Sequence, residues 1–200
     1  LLIKGSAITD CSAEGSAPKE SEGGCGGGAI DFVGSSSGVA RRVGPIIEST
    51  TIARCMAVAN IGRAGGAGVH CNNVVLKMRD STIEHCTAVS RRGDAYGGAV
   101  YVFDGGMAIA SSRIAHGSVL CLGSEWYSYA FGGGLYLLAA GSDSFSLEDS
   151  QILSCSSIVQ SSNGQVRAGG ALLTHKSRTS VAGNAMSIKR CIIAGCTATH

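Results

Sequence analysis

The residues of this chain that could do chemistry are spread thinly, and their spacing limits what they can do. Nine cysteines and five histidines are available as nucleophiles or metal ligands. No Cys-x-x-Cys pair and no His-Glu-x-x-His segment occurs, so neither of these zinc-binding spacings is present. Polysaccharide cleavage needs carboxylates gathered on one face, as an acid and base pair or as calcium ligands beside a basic residue. Asp31, Asp94, Asp104 and Asp143 are dispersed, and Glu148 and Asp149 are adjacent, so a strand would aim them at opposite faces. Were the chain a lyase, Asp104 and Arg113 would be the first residues to replace. Recognition by ring stacking has a better basis. Trp126, Tyr127, Tyr129 and Phe131 put four aromatic side chains beside Glu125 in one short loop, with Tyr136 close behind. Flat apolar faces with a polar edge suit sugar rings or protein partners. Glu125, Trp126, Tyr127, Tyr129 and Tyr136 are therefore the expected ligand-binding residues, with no catalytic set and no metal set.

The elements that must position these residues are set by an internal repeat. Residues 1–13, 45–57, 76–88, 107–119, 145–157 and 186–198 align without gaps on the template Φ-x-Φ-x-x-S-x-I-x-x-C-x-A, where Φ is apolar. Every copy has isoleucine at the eighth place: Ile8, Ile52, Ile83, Ile114, Ile152 and Ile193. Apolar residues two apart with polar or small residues between them give the period of a strand. Such strands cannot bury an apolar face alone, but stacked copies close a continuous core. The expectation is an all-β chain, a right-handed parallel β-helix of about five coils, with residues 1–200 forming one segment of a longer repetitive chain.

A second motif falls between the copies: Gly27-Gly28-Ala29-Ile30, Gly65-Gly66-Ala67-Gly68, Gly97-Gly98-Ala99-Val100, Gly132-Gly133-Gly134-Leu135 and Gly169-Gly170-Ala171-Leu172. The paired glycines are expected at a corner that needs positive φ or lacks room for a β-carbon. No phosphate-binding signature follows them. Cys11, Cys55, Cys86, Cys155 and Cys196 fill one template column, with Gly117 in the fourth copy. A thiol packs as a small hydrophobe, and in-register side chains seldom reach disulfide torsion, so a ladder of buried thiols is expected. Cys25, Cys71, Cys121 and Cys191 lie off that column, where a crosslink to a neighbouring loop is easier. His85 and His116 share a column and could face each other across one coil spacing, as could Tyr101 and Tyr136. Without a third ligand the histidines are read as exposed polar residues.

The glycine motif, alternating with a short block that ends Ile-Thr-Asp-Cys11 or Ile-Glu-His-Cys86, resembles the repeats of polymorphic outer membrane proteins. Those repeats belong to right-handed parallel β-helices of the pectin-lyase-like superfold. Where that family carries Phe-x-x-Asn, this chain carries Ile-x-x-Cys. The resemblance covers nearly the whole chain, and similar repeats occur in large surface proteins of microbial eukaryotes. It implies an extracellular or cell-surface scaffold used for adhesion or as a spacer, with no catalytic residues and no cofactor.

Composition agrees with a scaffold. Hydrophobic residues make up 44% and charged residues only 15%, which excludes a disordered tail. The formal charge of +2, from 16 basic and 14 acidic residues scattered in both signs, leaves no footprint for nucleic acid. The longest nearly uncharged stretch, residues 130–141, is too short to span a bilayer and is broken by three glycines. The partner expected is a glycan or a cell-surface protein, and the alternative function is polysaccharide lyase or hydrolase chemistry on the same scaffold. Ice binding would want an outward threonine ladder, and the outward columns are too mixed.

Overall fold

The computed structural model describes residues 1–15, 24–34, 43–123, 129–139, 144–160, 170–176 and 186–199. Among them are 27 strands, all in parallel pairing, and no helix long and apolar enough to cross a membrane. The strands stack into five sheets that wind as a right-handed parallel β-helix. One central coil shows the plan: Val75–Arg79 in the first sheet, Thr82–Glu84 in the second, Thr87–Ser90 in the third, Ala95–Tyr96 in the fourth and Val100–Phe103 in the fifth.

Each 13-residue block supplies the first three strands of a coil, and the gapless alignment is the observed register. Ile83 pairs with Ile52 on one side and Ile114 on the other. Met78 lies between Ile47 and Ile109, and Ala88 between Ala57 and Val119. Ile52, Ile83, Ile114 and Ile152 are fully buried, each worth roughly 1.5–3 kcal/mol on transfer from water. The column emerges at its ends. Ile8 is half-buried and Ile193 exposed, because each has a stacked neighbour on one side only.

Two corners separate the three strands of a block, and both are made by single left-handed residues. Gly5, Ser49, Asp80, Ser111, Asp149 and Arg190 form the first corner column, and Asp10, Arg54, His85, His116, Ser154 and Gly195 the second, with φ between 46° and 66°. The residue after each corner turns inward and bonds back across it. The Thr50, Ser81, Ser112 and Ser150 hydroxyls each donate to the carbonyl two residues earlier, at 2.6–2.8 Å. After the second corner the Cys55, Cys86 and Cys155 thiols do the same at 3.2–3.4 Å. Each of these carbonyls also accepts a backbone N–H from the preceding coil, so the hydroxyl or thiol adds a second, inward donor at the corner without an exposed polar group.

All nine cysteines are free thiols. Cys191 is not a crosslinking outlier, since it occupies the hydroxyl column in the last block and donates to the Lys189 carbonyl at 3.0 Å. On the outer face of the first sheet, Glu48 lies between Lys4 at 3.6 Å and Arg79 at 2.8 Å. The Arg79 guanidinium holds its carboxyl below the ordinary range.

The glycine motif needs one correction. The left-handed residues are Gly27, Gly66, Gly97 and Gly132, so the second copy runs Gly66-Ala67-Gly68-Val69, one residue later than the glycine pair suggests. Val69 pairs with Ile30 and Val100. Starting the motif at Gly65 would move Val69 and Cys71, both fully buried, to the outer face and send His70 and Asn72 into the core. Burial of the following strand, not the glycine pair, sets the register.

Candidate functional site

The glycine corner between the fourth and fifth sheets is concave towards solvent, so outward side chains of the two sheets meet. The outer column of the fourth sheet runs Gly26, Gly65, Tyr96, Phe131, and that of the fifth runs Asp31, His70, Tyr101, Tyr136. Tyr96 stacks on Tyr101 at 5.1 Å, on Tyr136 at 5.2 Å and on Phe131 at 5.3 Å. Tyr101 and Tyr136 stack on each other at 5.5 Å, and Tyr129 continues the series by stacking on Phe131 at 5.4 Å. Phe103 and Leu138 pack against the same cluster. The result is a second apolar core on the outside of the solenoid.

The cluster is tied down by one carboxylate. Asp94 accepts the Tyr96 hydroxyl at 2.6 Å and the Tyr129 backbone N–H at 3.0 Å. Burial pushes the phenols of Tyr96, Tyr101 and Tyr136 upward, Tyr136 to about 12, and for Tyr96 the neighbouring Asp94 charge adds to the effect. They stay neutral at any physiological pH.

Towards the first coils the rings give way to glycine. A β-carbon on Gly65 would lie 2.5 Å from Tyr101 Cδ1, and one on Gly26 would strike the His70 ring, so both positions must lack a side chain for these rings to lie down. His70 lies against Tyr101 with ring centroids 5.2 Å apart and planes tilted by 34°, and its Nδ1 lies 2.8 Å from the Asp31 carboxylate. A cavity of about 180 Å³ remains here, lined by Arg63, Gly65, His70, Asn72, Tyr101 and Phe103 among others. The Arg63 guanidinium lies 6.0 Å from the Tyr96 ring centroid and has no carboxylate partner among the described residues. Among the described residues the groove thus brings together the Arg63 guanidinium, the Asn72 amide and the His70–Asp31 pair beside half-buried Phe103 and buried Tyr101. Burial holds the Cys25 thiol in its wall protonated.

Of the residues expected from the sequence, Tyr129 and Tyr136 lie in this cluster, Tyr136 buried and Tyr129 half-buried. Glu125, Trp126 and Tyr127 lie outside the described residues. Sequence reasoning missed Arg63, Asp94, Tyr96 and the Asp31–His70 pair. For Tyr96, Asp31 and His70 the signal is positional, since the residue before each left-handed glycine lies across the corner from the residue four places after that glycine; Arg63 and Asp94 carry no such signal. Arg113 is engaged elsewhere, bonded to Glu84 at 2.7 Å on the second sheet, and Asp104 lies at the corner beyond the fifth sheet, so the strand Gly106–Ala110 intervenes.

His85 and His116 do face each other. Their rings stack at 4.5 Å with an interplanar angle of 9°, on an exposed corner remote in the coil from the aromatic groove. No group of three or more His, Cys, Asp or Glu side chains able to hold a metal occurs among the described residues. No family model, no curated protein and no solved structure matches the chain.

Proposed function

We propose that the chain is a non-catalytic extracellular or cell-surface scaffold, used in adhesion or as a spacer, that recognises a glycan at the groove between the fourth and fifth sheets. The observation carrying this reading is the ring column that runs across successive coils and ends at the cavity beside Arg63, Asn72 and His70. A pyranose presents one flatter apolar face and a rim of hydroxyls. The half-buried Phe103 ring, beside buried Tyr101 in the cavity wall, suits the face, and the amide of Asn72 and the guanidinium of Arg63 suit the rim. Glu125, Trp126 and Tyr127 shortly precede Tyr129 in the sequence and stay in the proposed ligand-binding set. The similarity of the repeats to those of polymorphic outer membrane proteins supports the compartment. The neutral, buried thiols and phenols and the separated carboxylates support the absence of catalysis.

A glycan array with the wild type, Arg63→Ala, Asn72→Ala and the double variant Trp126→Ala, Tyr127→Ala tests it. Loss of an anchor worth about 2 kcal/mol should weaken binding by roughly thirtyfold while the far-ultraviolet circular dichroism is unchanged. Equal binding by all four proteins removes the groove from the reading. Cleavage of a polyuronate by the wild type replaces the reading with the lyase alternative.

A further inference from the structure

We propose that His85 and His116 form a two-histidine site for a divalent transition metal ion, Zn²⁺, Ni²⁺ or Cu²⁺, on the exposed edge between the second and third sheets, with water completing the shell. The two residues occupy the same left-handed corner in successive coils, with φ of 54° and 51°, so one imidazole is nearly a translation of the other along the stack. Ring centroids 4.5 Å apart and planes 9° apart bring like nitrogens to within about one coil spacing. None of the four ring nitrogens has a hydrogen-bond partner among the described residues, whereas the His70 ring is held by Asp31. Neutral imidazole is the commonest protein metal ligand and suits Zn, Cu and Ni. With Zn–N bonds of about 2.0–2.1 Å, a tetrahedral chelate needs nitrogens about 3.3 Å apart. From the stacked position each exposed ring must turn by roughly 50° so that its in-plane lone pair points at the shared ion, a rotation that the open corner leaves room for.

The surroundings keep the pair available. On one side of the column Arg54 is turned away by a two-point bond to Asp10, both contacts at 2.7 Å, and on the other side stands Ser154. On the second sheet the neighbouring charges, Glu84 and Arg113, satisfy each other across the same two coils at 2.7 Å. On the third sheet the Thr87 and Ser118 hydroxyls bond to each other at 2.9 Å. Among the described residues, the charged groups flanking the two rings are paired with one another. A two-ligand site of this kind leaves coordination positions open to an anion or to a donor from a second molecule.

Titration calorimetry with Ni²⁺ and Zn²⁺, and the visible spectrum with Co²⁺, test the site in the wild type and in His85→Asn, His116→Asn and the double variant. Asparagine tolerates the left-handed backbone, so these variants keep the corner. A His70→Asn variant serves as the control. The expected result is one ion per chain, at least a tenfold weaker constant in each single variant, none in the double, no change in His70→Asn, and a cobalt spectrum of nitrogen and oxygen ligation. A thiolate charge-transfer band overturns the proposal by placing the metal on cysteine, and binding by the double variant equal to the wild type overturns it by placing the metal elsewhere. One single variant retaining full affinity overturns it by showing that the rings do not act as a pair.

Discussion

Ser81 and Ser112, 31 residues apart in sequence, are joined coil to coil through one hydroxyl: the Ser81 backbone N–H donates to Ser112 Oγ at 3.2 Å, while that hydroxyl donates to the Ala110 carbonyl at 2.7 Å. The same link runs from Thr50 to Ser81 and from Ser112 to Ser150. The Ser112→Ala variant strands the buried Ser81 N–H and removes one of two donors to the Ala110 carbonyl, which keeps the Asp80 N–H at 3.2 Å. A loss of about 1–3 kcal/mol is expected in urea unfolding. Ser112→Cys should lose less, because Cys191 fills the same column and makes the same donation.

The inside and outside of the block are tested by Ile83→Asp against Lys77→Glu. Ile83 is fully buried between two isoleucines, and an uncompensated carboxylate there costs several kcal/mol. Lys77 is exposed on the outer face of the first sheet, so its reversal should stay within about 0.5 kcal/mol. Thermal melts should show the first variant unfolding across the central coils, since each coil is held by its neighbours. Equal melting temperatures would invert the assignment.

These two variants can be designed from the sequence because the block repeats without gaps, and a column that repeats has to stack on itself. The Ile, Ser and Cys columns are therefore legible before any coordinates. The aromatic groove is not, because its partners differ in every coil: Gly26 and Gly65 in two of them, Tyr96 and Phe131 in the next two. Complementarity between a glycine in one coil and a ring in the following one is a relation across about 40 residues, invisible to a column-by-column comparison. The adjacent glycines at 65 and 66 hide it further, since only the second is left-handed.

Thiol burial gives a pH dependence with a definite sign. Burial raises Cys71, Cys86, Cys121 and Cys155 from an ordinary 9.0 to about 12. In the unfolded chain these thiols ionise near the lower value, so between the two values the folded state holds protons that the unfolded state has lost. Their contribution to stability is complete below pH 9 and declines as pH rises towards 12. Urea midpoints measured between pH 8 and pH 11 should fall more steeply in the wild type than in Cys86→Ala. Parallel curves would mean that the thiols are accessible to water.

Gly65→Ala and Gly66→Ala separate two uses of glycine at one corner. The first inserts a methyl against Tyr101 and leaves the backbone at ease, so the ring must move and the cavity beside Arg63 changes shape. The second forces an L-residue to φ of 59° with its β-carbon against the Val69 carbonyl. Near-ultraviolet circular dichroism should report the displaced tyrosine in Gly65→Ala, with a stability loss of about 1–3 kcal/mol. Gly66→Ala should lose at least as much while keeping the strand that begins at Val69. Identical tyrosine signals in the wild type and Gly65→Ala would contradict the close seating of Tyr101.

The block of three strands and two corners never changes length, whereas two other seams do. Asn72 and Val75 nearly adjoin where Val33 and Val43 stand well apart, and Ala59 and Arg63 nearly adjoin where Cys121 and Ala130 do not. Foreign segments grafted at these seams therefore leave the five sheets in register. Placed in consecutive coils, two such grafts would be rooted about 4.8 Å apart along the axis. The chain can thus serve as a molecular rack on which unrelated peptides are mounted in chosen order and at fixed pitch.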